Sequence, residues 1–290
     1  MGSAWKQDPS QPGQGGGLRS KPSAAVPREH GAWFMLGHCL VLGALVSGHL
    51  RMPVLLVSAA SLLWFMATRG LKQLARRLRS GESLRGFRLP RPAAGFLLGS
   101  AMVGGGAVIG WGLEVLLFWA ALGAGLTIVY GWVLLRRRER SLTGEWVGVV
   151  GLTLSTGPVW SAGTGRLGEE AFLLWGLAVL YFGGSVPYVR LRVRQMKSPG
   201  ASFRHRLRVG RGALLYSSAA LAAVVGGARG DIIPGLAVLP FVLLLAKVVW
   251  SVSRGRGPAG LVHVGYGEVV YSTVFTAITI MAFWLQATAT

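Results

Sequence analysis

Acidic residues are scarce in this chain: ten Asp and Glu stand against 30 Lys and Arg, and only 14% of the 290 residues are charged. So few carboxylates leave little material for a multi-metal centre, since magnesium and calcium sites are built from acidic oxygens. Cysteine occurs once, at Cys39, which excludes an internal disulfide and any multi-cysteine zinc or iron–sulfur site. Histidines are few and scattered. His30 and His38 are about 12 Å apart along a helix axis, too far to ligate one haem iron together. His38 is the one histidine well inside an apolar run, and no second buried histidine faces it. No metal and no cofactor is therefore expected. The first 26 residues contain no apolar stretch, so no cleavable signal peptide is expected, and Lys6 stands where a myristoylation signal carries Ser or Thr.

Apolar residues are what the chain has instead. They make up 52% of it, beside 44 glycines, and recur in runs of around 20. The fold class expected is all-α: a polytopic membrane helix bundle of about nine transmembrane helices. Candidate spans lie at 31–50, 53–69, 93–111, 113–135, 146–164, 170–189, 212–229, 231–251 and 268–286. Residues 1–26, rich in Gly, Pro, Ser and Gln, read as a disordered cytoplasmic tail, and 27–290 as a single transmembrane domain.

A net charge of +20 on a soluble face would point to nucleic acid. Here the charges fall between apolar runs, so the partner expected is the lipid bilayer, with anionic lipids at the cytoplasmic loops, and no nucleic acid. With nine spans, every basic residue except Arg51, Arg166, Arg229 and Lys247 falls on one side. The positive-inside rule then places the N-terminus in the cytoplasm and the chain in a cell's inner (plasma) membrane as a multi-pass protein. The basic loops either anchor that topology or also coordinate an anionic substrate.

Two long basic loops resemble one another, "RLRSGESLRGFRLPRPAAGFLL" (77–98) and "RQMKSPGASFRHRLRVGRGALLY" (194–216). Four spans separate them, as a duplication of spans one to four would require, although any two basic juxtamembrane loops look alike. "GSAMVGGGAVIG" (99–110) and "ALGAGL" (121–126) allow close helix approach. Pro158 and the "GGSVP" stretch (183–187) predict broken helices in spans five and six, the latter a candidate cavity wall.

Glu29, Glu145 and Glu268 each stand at the cytoplasmic mouth of a span, where an ionisable group is kept paired or functional. Glu29 follows Pro27 and also suits the first turn of a helix as a dipole cap. At the same depth lie His30 beside it, Arg69 and Lys72 at the end of span two, Tyr188 and Arg190 at the end of span six, and His263 before span nine. This collection can bind a phosphate or carboxylate group through its cations and move protons through Glu or His. It can equally be an ion-pair network that locks helix ends.

At "PREHGAWFML" (27–36) the chain resembles the YwiC-like family of bacterial membrane proteins, and "GGSVPYVRLRVR" (183–194) and "GYGEVVYS" (265–272) are similar to its later segments. The resemblance marks Glu29, His30, Tyr188, Arg190 and Glu268 as positions of interest without implying a reaction. More distantly, the arrangement resembles the UbiA-type prenyltransferases, nine-helix proteins whose active site lies on loops after the second and sixth helices. That resemblance implies a UbiA-like arrangement and an isoprenoid or quinone-like ligand. The Asp-rich motifs that hold magnesium there are missing, since Glu82 is the sole acid of the two loops, so magnesium-dependent prenyl transfer is not expected. The reading favoured is a lipid-soluble or anionic ligand in a cytoplasm-facing cavity. Glu29, His30 and Glu268 are its acid/base or orienting groups; Arg69, Lys72, Tyr188, Arg190 and His263 are its binding groups. A small transporter or exporter, and a non-catalytic subunit of a respiratory or assembly complex, are the competing classes.

Overall fold

A computed structural model describes residues 30–81, 91–138, 141–198, 200–254 and 261–289. The tail at 1–26, Glu29 and Glu82 lie outside the described residues. The described chain is helical throughout, without a strand: α1 (His30–Val46), α2 (Met52–Ser80), α3 (Arg91–Trp111), α4 (Val115–Leu135), α5 (Leu142–Thr153), α6 (Thr156–Thr164), α7 (Glu169–Gly183), α8 (Ser185–Lys197), α9 (Phe203–Arg229), α10 (Leu239–Arg254) and α11 (Leu261–Ala289).

Seven helices among the described residues are long and apolar enough to cross a membrane, counting α7 with α8 as one. The outer surface agrees with that reading. Ile109 is 87% exposed, Ile128 74% and Leu215 69%, a cost in water that lipid removes. The protein is an integral, multi-pass membrane protein.

Two breaks fall where proline removes a donor. Pro158 leaves the carbonyl of Leu154 without its usual partner four residues on, and α5 gives way to α6 just there; Gly157 N–H takes that carbonyl in a tighter turn at 3.2 Å. Pro187 does the same to Gly183, and α7 passes to α8 at Gly184. At the second break the two glycines are closely packed. Gly183 lies against Trp146 and the Tyr216 hydroxyl, and Gly184 against Leu244, so both glycines are there for close packing.

The basic segments expected as loops are largely helix. α2 runs on past Arg69 to Ser80, because nothing stops it until Gly81 caps it in the left-handed region at φ 73°. Likewise α8 continues to Lys197 and α9 starts at Phe203, with Ser202 accepting from His205 N–H. Arginines from these extensions finish neighbouring helices. Arg79 donates to the Leu134 carbonyl at the end of α4 at 3.1 Å. Arg206 donates to Val252 at 3.0 Å and Ser253 at 2.9 Å at the end of α10, and to Ala201 at 2.7 Å.

The interior divides into three apolar clusters. The largest joins α1 and α4 to α11 around Phe241, Phe275 and Leu174. A second joins α1, α2, α3, α4 and α6, and a third ties α8, α9 and α10. Polar links between helices are few and specific. Trp119 donates to Ser161 at 2.9 Å, and Trp284 of α11 to the Leu45 carbonyl of α1 at 2.8 Å.

Candidate functional site

Among the described residues, three places where polar and charged side chains meet between helices stand out. The first lies between α8, α10 and α11. Lys247 stands in the apolar run of α10 and is buried, its side chain 5% exposed. Its ammonium donates to Glu268 Oε1 at 2.9 Å and sits 4.3 Å from the ring centre of Tyr188 and 4.9 Å from that of Tyr271. A carboxylate and two tyrosine faces thus compensate one cation taken out of water. Below it, Tyr181 O–H donates to the Tyr271 carbonyl at 2.8 Å, and its ring stacks on Phe275 at 4.0 Å, tying α7 to α11.

The second place joins α5 to α8: Arg190 Nε donates to Glu145 Oε2 at 2.9 Å, with both side chains about a third exposed. Two residues further along α8, Arg192 turns inward instead. Its Nη1 donates to Gln195 Oε1 and to the Ser251 hydroxyl, each at 3.0 Å, and Gln195 returns a bond to the Ser251 carbonyl.

The third is a partly open cavity of about 610 Å³ lined by α2 to α6 and by Leu36 of α1, within the size range of small-molecule sites. Trp64, Phe65, Trp119 and Leu126 contribute to its apolar walls. Its floor is opened by glycines; a Cβ on Gly105, Gly148 or Gly151 would meet nothing. Ser61, Ser100 and Ser155 line its middle stretches, and a further group of polar side chains lies toward one end. Thr68 and Lys72 come from the later turns of α2, Thr127 and Tyr130 from those of α4, and Gly148 from the start of α5. The Arg79 bond to Leu134 places those ends of α2 and α4 together.

Of the groups singled out in the sequence, the structure brings some together in pairs. Tyr188 and Glu268 come together on Lys247, which lies near the inner end of its span. Arg190 pairs with Glu145. Lys72 lines the cavity, and Arg69 lies one turn before it on α2. His30 opens α1 and His263 lies in the first turn of α11, both placed by backbone alone. His38 has an ordinary structural role: its Nδ1–H donates to the Phe34 carbonyl at 2.7 Å, and Nε2 faces the Thr273 hydroxyl at 3.1 Å. Lys247 was there to be found as an isolated lysine inside "LPFVLLLAKVVW", the kind of charge that lipid tolerates only with a partner.

Comparison with known proteins is narrow in its result. Residues 26–160 match the family described as YwiC-like protein, a stretch that runs from the segment before α1 into α6 and takes in most of the cavity wall. No curated protein and no solved structure matches the chain.

Proposed function

The chain is YwiC-like over residues 26–160, and from that premise we propose that it binds a lipid-soluble amphiphile, with a polar or anionic head, in the cavity between α2 and α6. One observation carries the reading: a largely apolar cavity inside a membrane bundle has its one lysine, Lys72, at the end where Thr68, Thr127 and Tyr130 also lie. An isoprenoid or quinone-like molecule fits that polarity. Its chain would lie along the Trp64 and Phe65 walls and its head at Lys72, whose ammonium attracts an anion or a carbonyl oxygen. Arg69 extends the positive field at this end. Glu268, Tyr188 and Arg190 are not among the residues that line this cavity.

The membrane arrangement proposed has nine passes. α1, about 25 Å long, and the α5–α6 pair add two to the seven long helices. It places the Lys72 end in the cytoplasm, where the arginine-rich helix extensions face anionic lipid. In a background with Cys39 replaced, a cysteine at the exposed position Arg138 is expected to resist a membrane-impermeant thiol reagent added outside intact cells. One at Arg229 is expected to react; the opposite pattern overturns the orientation.

Gly148→Leu puts a side chain into the chamber from a lining position where an added Cβ meets nothing within 4 Å. Mass spectrometry of lipid extracts from purified protein is expected to find an amphiphile enriched over bulk phospholipid, and to lose it in this variant. Identical bulk phospholipid in both preparations sinks the ligand reading.

A further inference from the structure

Helices around the cavity are packed on one another: α2 on α3, α2 on α6, and α4 on both α5 and α6. α3 and α4 are the exception. A short turn at 112–114 joins them, yet they have no comparable packing; among the described residues, α2 is the one helix on which α3 rests to that degree. Its seat there is close. Ser100 donates to the Ala60 carbonyl at 2.8 Å, and a Cβ on Gly99 would stand 3.4 Å from Leu63. α2 and α4, by contrast, are tied at their ends. Arg79 donates to the Leu134 carbonyl at one, and Val54, Leu113 and Leu116 share an apolar cluster at the other. The open side of the cavity therefore lies between α3 and α4.

Both rims of that side carry small residues: Ala101, Gly104 and Gly105 from α3, and Ala120, Gly123 and Ala124 from α4. The three alanines are exposed as well as lining the cavity. In membrane helices small residues ordinarily let two backbones approach. Here they do not serve that end, because α3 and α4 stay apart and a Cβ on Gly105 would meet nothing within 4 Å. They leave a slot with no long side chain across it, bordered by apolar surface on two membrane helices.

We propose that the cavity opens sideways through this slot into the hydrocarbon of the bilayer, and that its ligand is a membrane-resident lipid whose chain lies in the slot while its head reaches Lys72. The proposal rests on the reading of the cavity as an amphiphile site and narrows it. Ser100 fixes the α3 rim at the level of Ala60, about 18 Å along α2 from Lys72. That separation suits a small head followed by an extended chain, not a compact water-soluble anion. A head that is neutral in transit, a quinone or a protonated carboxylic acid, passes the slot without stranding a charge in hydrocarbon and meets the lysine afterwards.

The test uses full-length protein, washed free of co-purified lipid and reconstituted in liposomes. It is photolysed with phenyl(trifluoromethyl)diazirine, a small apolar carbene source that dissolves in the bilayer core, and labelled residues are read by mass spectrometry. Ser61 and Leu152, partly exposed residues of the α2 and α5 walls, are expected to be labelled along with the outward-facing Ile109. Ala101→Phe/Ala124→Phe obstructs the slot from both rims. It should lose the wall labels, down to the level of the core residue Phe241, and keep the label on Ile109. Met102→Phe/Ile128→Phe, at exposed positions of the same helices outside the cavity lining, should label as wild type does. Unlabelled walls in wild type beside a labelled Ile109 overturn the proposal, and so do full wall labels in the rim variant. Should the rim variant unfold, Phe241 labels as strongly as Ile109, and Ala101→Phe alone is read in its place. The outcome is separable from that of the lipid extracts. Labelled walls without an enriched amphiphile remove the ligand and leave the slot; an enriched amphiphile with unlabelled walls removes the slot and leaves the ligand.

Discussion

Lys247→Met is expected to destabilise the bundle by about 3–5 kcal/mol, the scale for removing one partner of a buried ion pair. The lysine gives up its bond to Glu268 and its contacts with Tyr188 and Tyr271, and the carboxylate is left among tyrosine faces and apolar helix. Attraction between a buried pair barely repays its desolvation, so most of that loss is the cost of the stranded carboxylate. Lys247→Met/Glu268→Gln removes both charges and should recover more than half of the stability. Unfolding in mixed micelles, followed by tryptophan fluorescence, measures all three proteins. A double variant as unstable as the sum of the two single ones shows that the residues act separately.

Gly43→Ala is the second large effect. An added Cβ would stand 2.5 Å from the backbone carbonyl oxygen of Thr156, where α1 crosses α6, and 3.1 Å from Val159 Cβ. A backbone oxygen held in a helix cannot step aside, so α1 must shift, at about 1–3 kcal/mol for such overpacking. Gly37→Ala, in the same helix, is the control. Nothing lies within 4 Å of its added Cβ, and alanine outranks glycine in a helix by about 1 kcal/mol. The first substitution should lower the midpoint of thermal unfolding and the second should hold or raise it. Equal behaviour of the two refutes the close α1–α6 crossing.

The helices were legible because the apolar runs are long and two prolines sit inside them. Pro158 and Pro187 mark both breaks from sequence alone, since each removes a backbone donor wherever the chain goes. The basic stretches were misjudged as loops because composition shows where water begins but not whether a helix stops there. From Leu71 to Ser80 there is neither Gly nor Pro, and the helix simply continues into the polar layer. "GSAMVGGGAVIG" was half readable. Gly104 does bring α3 near Ala60, with 3.7 Å to its Cβ, while the adjacent Gly105 opens into the chamber. Which glycine packs and which makes room depends on the rotation of α3 against α2, which no run of small residues specifies. Tyr188 and Glu268 were singled out for their depth; that they converge on Lys247 follows from the packing of α8, α10 and α11, three segments distant in sequence.

The arginine that closes α10 carries two kinds of information in one side chain. As a charge, Arg206 helps decide which face of the membrane its end of the helix occupies, and for that purpose any cation serves. As a planar fork it reaches three carbonyl oxygens on two segments at once, and a lysine ammonium, with its donors radiating from a point, has no equivalent reach. Arg79 does the same on α4. The preponderance of arginine over lysine in these extensions therefore has a geometric origin as well as an electrostatic one: sidedness needs only the sign, while sealing the ends of neighbouring helices needs the shape.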